Sequence, residues 1–269
     1  MKILDRNFIN IYRQQINTPY LNRNDSRMTP NTFEGYSFAV ASGGKDGAPK
    51  FTYGAGYVDK IKPQNSDISI SMSESAGAQV KRGVVAGGAD ISSTTFAIGA
   101  IDYYSEDIIN IGYTEAKFTS SLTQRLGLVV SVQFTDQRSV GEDLLTRYSF
   151  ATNQVGVKAA IGSGGGIFIL AYTRDSSGAN LQSPWGSYPG YTSVQVQSFN
   201  RAGEEAYMVM GDYDFSRLGL DHVTAYALWV HGWGAIEFRF RYAHVDQHGV
   251  SDASGNDFRF IVNYDLSLL

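Results

Sequence analysis

LGLVVSVQFT, residues 126–135, alternates with a period of two. Leu126, Leu128, Val130, Val132 and Phe134 fall on one side, and Gly127, Val129, Ser131, Gln133 and Thr135 on the other. An extended chain turns successive side chains to opposite faces, so this spacing predicts a strand with one apolar face. Downstream, Val155, Val157, Ala159 and Ile161 alternate with Gln154, Gly156, Lys158 and Ala160. Near the C-terminus Ile236, Phe238, Phe240 and Tyr242 oppose Glu237, Arg239 and Arg241. Finally Phe258, Phe260, Val262, Tyr264 and Leu266 oppose Asp257, Arg259, Asn263 and Asp265, with Ile261 the apolar exception.

Carried along the chain, the pattern predicts about thirteen strands of roughly 8 to 12 residues. They fall near 8–16, 31–41, 51–61, 82–90, 93–104, 107–118, 122–135, 152–161, 166–174, 206–216, 221–232, 236–246 and 256–267. The composition agrees. The chain has 29 Gly, 17 Tyr and 15 Phe but only 6 Pro, which favours strands joined by turns over helices. Apolar runs such as Ile167 to Tyr172 are strand-sized, far below the roughly 18 residues of a membrane helix. Any membrane embedding therefore comes from strands, and strands span lipid only as a closed barrel.

Tight turns at 119–121, 162–165 and 217–220 alternate with long polar loops at 17–30, 62–81, 136–151 and 175–205. Outer-membrane barrels sort short turns to one side and long loops to the other in this way. The short link at 105–106 is an exception, because a long loop is due there. A soluble β-protein shows the same alternation with its apolar face turned inward. A secreted β-protein that binds carbohydrate or acts as an adhesin is therefore the rival reading, and a barrel-embedded hydrolase is a second one. Aromatic residues near strand ends (Tyr103, Tyr104, Phe118, Trp229, Trp233 and Tyr264) suit the interface girdles of a membrane barrel. Zero cysteine excludes disulfides and thiolate metal sites, and a formal charge of −4 gives no reason to expect nucleic acid. The opening MKILDRNFIN has no apolar core of a secretory signal.

Three stretches are similar to the OprD family of substrate-specific porins: NTPYLNRNDSRMTPNTFEGY from Asn17, GAIDYYSEDIINIGYTEAKF from Gly99, and RFRYAHVDQ…DFRFIVNYDLSLL from Arg239. LGLVVSVQFTDQRS and YDFSRLGL…VTAYALWVHGWG resemble that family too. The resemblance implies an all-β, antiparallel transmembrane barrel of about eighteen strands in the bacterial outer membrane. It further implies a monomer without cofactor, loops that fold inward to narrow the pore, and a wall of basic side chains called a basic ladder. The solutes it implies are small molecules bearing a carboxylate, such as amino acids and aromatic acids.

Set against that family, residues 1–269 are expected to form one porin domain covering about the C-terminal two-thirds, without a signal peptide or the first strands. If the last strand ends on the turn side, strands 221–232 and 236–246 run in the same direction. A parallel pair needs a crossover of a dozen or more residues. The sequence therefore leads us to expect a strand missing near Gly234.

Candidate pore-lining residues follow from alternation. Arg239 and Arg241 lie opposite Phe238, Phe240 and Tyr242, and turning them to lipid would cost roughly 2–4 kcal/mol each near the midplane. An inward guanidinium can hold a carboxylate through paired, charge-assisted hydrogen bonds, or can simply pair with Glu237 or Asp257. The resemblance places arginines of this strand in the ladder. Arg13 matches a family strand whose arginine points into the channel, and structural pairing is its alternative. Lys158 and Arg259 face inward by the same alternation. Arg27 and Asp25, in the NDSRM motif, are expected to shape their loop. Loop 175–205, with Trp185, Tyr188 and Tyr191, folds inward as a constriction or caps the barrel outside.

Signals for catalysis are weak. His244 and His248 sit four apart, but Val245 stands where a zincin motif needs glutamate. GSGGG at 162–166 fits neither phosphate-binding pattern, and no G-x-S-x-G elbow occurs. The sequence thus predicts a passive channel, with outer-membrane lipid and small carboxylate solutes as its partners and no metal or cofactor.

Overall fold

The computed structural model describes residues 7–24, 26–27, 29–44, 47–194, 197–220, 223–232, 235–243, 246–247, 253–254 and 257–264. The chain opens with β1 (Phe8–Gln14), β2 (Thr32–Gly43), β3 (Lys50–Lys62), the short β4 (Ile70–Ser71) and one helical turn, α1 (Met72–Ser75). There follow β5 (Val84–Ser92), β6 (Phe96–Ser105), β7 (Ile109–Ser121), β8 (Gly127–Arg138), β9 (Ala151–Ser163) and β10 (Gly166–Asp175). The last elements are β11 (Glu205–Asp214), β12 (Thr224–Gly232), β13 (Ala235–Ala243), β14 (Asp246–Gln247), β15 (Ala253–Ser254) and β16 (Asp257–Tyr264). A 3-10 turn, Phe215–Leu218, joins β11 to β12 and occupies the turn expected there.

One antiparallel sheet runs in the order β1-β2-β3-β5-β6-β7-β8-β9-β10-β11-β12-β13-β16. β4 adds to β3, and β14 pairs with β15 apart from the main sheet. Each long strand pairs with the next along the chain, so the fold is a continuous meander. β1 and β16 stand at the two ends of this order and do not pair with each other among the described residues.

The long strands match those expected from alternation to within a few residues. One expectation is corrected. β12 and β13 are antiparallel neighbours, in register from Ala225↔Tyr242 to Gly232↔Ala235. They run in opposite directions, so their pairing requires no intervening strand; Gly234 itself lies outside the described residues. The premise that fails is that the last strand ends on the turn side: in this antiparallel order β1, β3, β8, β10, β12 and β16 all run toward the side of the long loops. The β6–β7 link is likewise a tight turn, closed by the Ile108 amide donating to Ser105.

The two faces of the sheet have inverted polarity. On β8, Val132 and Phe134 are 43% and 42% exposed, whereas Gln133 and Thr135 are each only 1% exposed. β9 repeats this, with Val155 and Val157 exposed and Thr152 and Gln154 buried. Register joins the exposed residues into a band: Val132 faces Val157, Phe134 faces Val155, and Phe168 faces Ile161. A contiguous exposed apolar band of this kind marks a surface that meets lipid or a partner protein rather than water. No described helix is long and apolar enough to cross a membrane. The strands carry the apolar surface instead.

The inward face is partly filled by loops. Tyr20 and Leu21 from the β1–β2 loop, Met72 from α1, and Trp185 from the β10–β11 loop are fully buried against Tyr103, Ile109, Ile111 and Tyr113 of the wall. A smaller cluster gathers Phe199 on Ala171, Ala206, Met208 and Val230.

Candidate channel constriction

Loop 175–205 folds inward. Its position is set by contacts with the β1–β2 loop and α1. Leu21 and Trp185 form an isolated parallel bridge, and the Trp185 indole donates to the Met72 carbonyl at 2.9 Å. Asn22 acts as the joint between the two loops. Its Nδ2 donates to the carbonyls of Pro19 and Ser187, both at 3.0 Å, while its Oδ1 accepts from the Ser187 amide at 2.8 Å. Gly186 permits this approach, because a Cβ there would stand 2.5 Å from the Asn22 side chain. Asn31 ties the β1–β2 loop to the β3–β4 connection, accepting from the Gln64 amide at 3.1 Å. Asn22 and Asn31, rather than Arg27, supply these bonds, and Asp25 lies outside the described residues.

Tyrosines dock the loops onto the wall. The Tyr20 ring lies 6.2 Å from each of the rings of Tyr103, Tyr113 and Tyr188, in edge-to-face arrangements. Such pairs add about 0.5–1.5 kcal/mol beyond their burial. The Tyr20 hydroxyl donates to Thr135 at 3.1 Å, and Tyr103 donates to Thr18 at 2.8 Å. Behind them, Gln133 donates to Gln154, which donates to Asp175 at 2.8 Å. These polar groups are unusual in a β-protein interior, and they suit a wall built to face water.

A cavity of about 500 Å³ opens beside this plug, lined by Asn17, Thr18, Asn22, Tyr113, Glu115, Lys158, Ser187 and Tyr191 among others. Tyr191 reaches across from the β10–β11 loop and donates to Glu115 at 2.8 Å; Tyr113 donates to the other carboxylate oxygen at 3.2 Å. The Lys158 ammonium lies 4.1 Å from the centroid of the Tyr191 ring, a cation–π contact. Burial, and then the negative charge of Glu115, push the Tyr191 phenol above its usual range, so it stays a donor. Lys158 thus lines this cavity. Glu115, Tyr113 and Tyr191 complete it, and alternation through Ile111, Tyr113 and Glu115 in INIGYTEAKF is the signal that could have found the acid.

Arg13 is placed elsewhere. Register sets it opposite Glu34, in the alternate set of Ile9 and Ile11, whose side chains are exposed. Its Nη2 pairs with Glu34 at 3.0 Å, and its side chain is 53% exposed. Structural pairing is therefore what is seen at Arg13. The backbones of Arg239, Arg241 and Arg259 are described, but their side chains lie outside the described structure. Register sets Arg239 opposite Leu228 and Ile261, and Arg241 opposite Tyr226 and Arg259. His244 and His248 lie outside the described residues, and among the described residues no group of three or more acidic or histidine side chains gathers.

An outward apolar band, a polar inner wall and loops turned into the lumen are the anatomy of a porin. Residues 6–240 match the family described as outer membrane porin, OprD family. The chain belongs to the OprD family. As such it is an outer-membrane porin, a passive channel for small solutes and not an enzyme.

Solved structures share the fold of this OprD-family porin. OccK9 (OpdG) of Pseudomonas aeruginosa superposes with a TM-score of 0.80 at 22% identity, over 96% of this chain and 67% of that one. A BenF-like porin of Pseudomonas fluorescens Pf-5 gives 0.80 at 17% identity, over 99% and 76%. OpdK of Pseudomonas aeruginosa, solved with vanillate, gives 0.77 at 17% identity, over 96% and 72%. No curated protein matches the chain.

Proposed function

We propose that this porin selects small solutes bearing a carboxylate and lets them diffuse along a basic strip of its lumen. Arg239, Arg241 and Arg259, with Lys158 as a further site, would bind the anion in turn. The register carries this reading: Arg241 stands directly opposite Arg259, and Arg239 lies two residues along the same alternate set. Directly opposed residues have Cβ atoms about 4.5–5.5 Å apart, and like charges so placed repel. An anion shared between the guanidiniums relieves that repulsion, and several weak sites in series release what they bind. OpdK, a porin of the same fold solved with vanillate, is consistent with a carboxylate cargo. In this reading residues 1–269 belong to one porin domain, and the family resemblance implies a monomer.

The test is uptake into proteoliposomes by the Arg239→Gln/Arg241→Gln variant. Carboxylate uptake falls several-fold while uptake of a neutral sugar of similar size is nearly unchanged. Equal loss for both solutes would overturn the proposal.

A further inference from the structure

We infer that Tyr191 sets the charge selectivity of the constriction, by tying down the Glu115 carboxylate with its hydroxyl while holding the Lys158 ammonium with its ring. The inference rests on reading this channel as anion-favouring, and it explains how an acidic residue can line such a channel without opposing it.

The geometry gives each part of Tyr191 a separate task. Its hydroxyl and that of Tyr113 donate to different oxygens of Glu115, at 2.8 and 3.2 Å. A carboxylate that accepts two phenolic hydrogen bonds has a lone pair on each oxygen turned into those bonds rather than toward a passing ion. The face of the same ring lies 4.1 Å from the Lys158 ammonium. Acid and base line one cavity of about 500 Å³. One side chain therefore masks the negative group and positions the positive one.

The loop holds Tyr191 firmly. The adjoining Thr192 is fully buried, and its hydroxyl bonds to that of Thr173 on β10 at 2.6 Å. A turn closes just behind, with the Ser193 amide donating to the Gly190 carbonyl at 2.9 Å. Tyr191 thus stands on a segment tied to β10. Lys158 and Glu115 lie on β9 and β7, with β8 between them: Glu115 is opposite Gln133, and Lys158 is opposite Ser131. The wall fixes where the two charges stand, and the loop residue adds one contact to each of them.

Tyr191→Phe separates the two tasks, because it keeps the ring beside Lys158 and deletes only the hydroxyl. In a planar bilayer under a potassium chloride gradient, the reversal potential of the wild-type channel reports anion preference. Tyr191→Phe is expected to lower the chloride-to-potassium permeability ratio by up to about twofold, because the Glu115 carboxylate keeps its charge and its Tyr113 bond and loses one donor dipole facing the pore. Tyr191→Phe added to Glu115→Gln is expected to change nothing further. A wild-type channel without anion preference would overturn the anion-favouring reading itself. A wild-type preference that Tyr191→Phe leaves intact would overturn the role of Tyr191 alone.

A measurement in detergent needs no current. The chain has no cysteine, so Asn17→Cys places one thiol on the same cavity. The ratio of its labelling rates by anionic and cationic methanethiosulfonates reads the local charge. Tyr191→Phe lowers that ratio if the inference holds; an unchanged ratio overturns it.

Discussion

The Trp185 indole Nε1 donates to the carbonyl oxygen of Met72 at 2.9 Å, and both residues are fully buried. They lie more than a hundred positions apart in the chain (|i−j|=113), so this bond pins the β10–β11 loop to α1 inside the wall. Trp185→Phe keeps most of the bulk but removes this bond, leaving the Met72 carbonyl with the Ala76 amide at 3.2 Å, at a cost of about 0.5–1.5 kcal/mol. Trp185→Ala adds a cavity and costs about 3–5 kcal/mol. Urea unfolding in detergent checks the order. Single-channel conductance checks the consequence: Trp185→Ala raises it and Trp185→Phe changes it little. An unaltered conductance in Trp185→Ala would show that this loop does not narrow the pore.

Gly186 and Asn22 form the second pin. A methyl at position 186 meets the Asn22 side chain at 2.5 Å, so either that amide or the loop backbone must move. Asn22→Ala removes the bonds to Pro19 and Ser187 from the other side. Both variants are expected to loosen the same loop by about 1–3 kcal/mol. Limited proteolysis within 176–204 reads this, and cleavage should accelerate in both while the strands stay intact. Acceleration in Asn22→Ala alone would mean that the loop backbone absorbs the methyl.

Arg13 offers a contrast with the arginines near the C-terminus. Exposed ion pairs contribute about 0–1 kcal/mol, and the Arg13 partner Glu34 also accepts from Ser69 at 2.9 Å. Arg13→Gln is therefore expected to shift the urea midpoint only slightly and to leave carboxylate uptake unchanged. A loss of uptake comparable with that of Arg239→Gln/Arg241→Gln would restore Arg13 to the pore wall.

The strands were legible because period-two alternation at Val132, Phe134, Val155 and Val157 is local and survives any packing. The inward turn of Lys158 followed from the same rule. Which face met water was not legible, since a soluble sandwich and a barrel write the same alternation; the burial of Gln133 and Thr135 beside exposed Val132 separates them. Arg13 keeps to alternation with the exposed Ile9 and Ile11; its inward placement was implied by the family resemblance, and its pair with Glu34 is what the structure shows. Tyr191 and Asn22 were out of reach for another reason. Tyr191, Asn22 and Ser187 ride on loops that no periodicity describes, so the pairing of Tyr191 with strand residue Glu115 and of Asn22 with Ser187 had no local signal.

The outward face makes the sharpest test of lipid contact. Val157 stands mid-strand on β9, opposite Val132 and Tyr172 in the outward set, and Ala160 lies on the inward set with Lys158. In a water-soluble sheet an arginine at exposed position 157 is nearly neutral, whereas one on the buried face is costly. A membrane barrel reverses that order. Val157→Arg then faces hydrocarbon and costs roughly 2–4 kcal/mol near the midplane, while Ala160→Arg projects toward the lumen with little penalty. Refolding into lipid vesicles, followed by the gel shift of the folded barrel, compares the two variants. The expected result is a yield for Val157→Arg well below that of Ala160→Arg. Equal yields, or the opposite order, would contradict the assignment of the Val132–Val157 band to lipid.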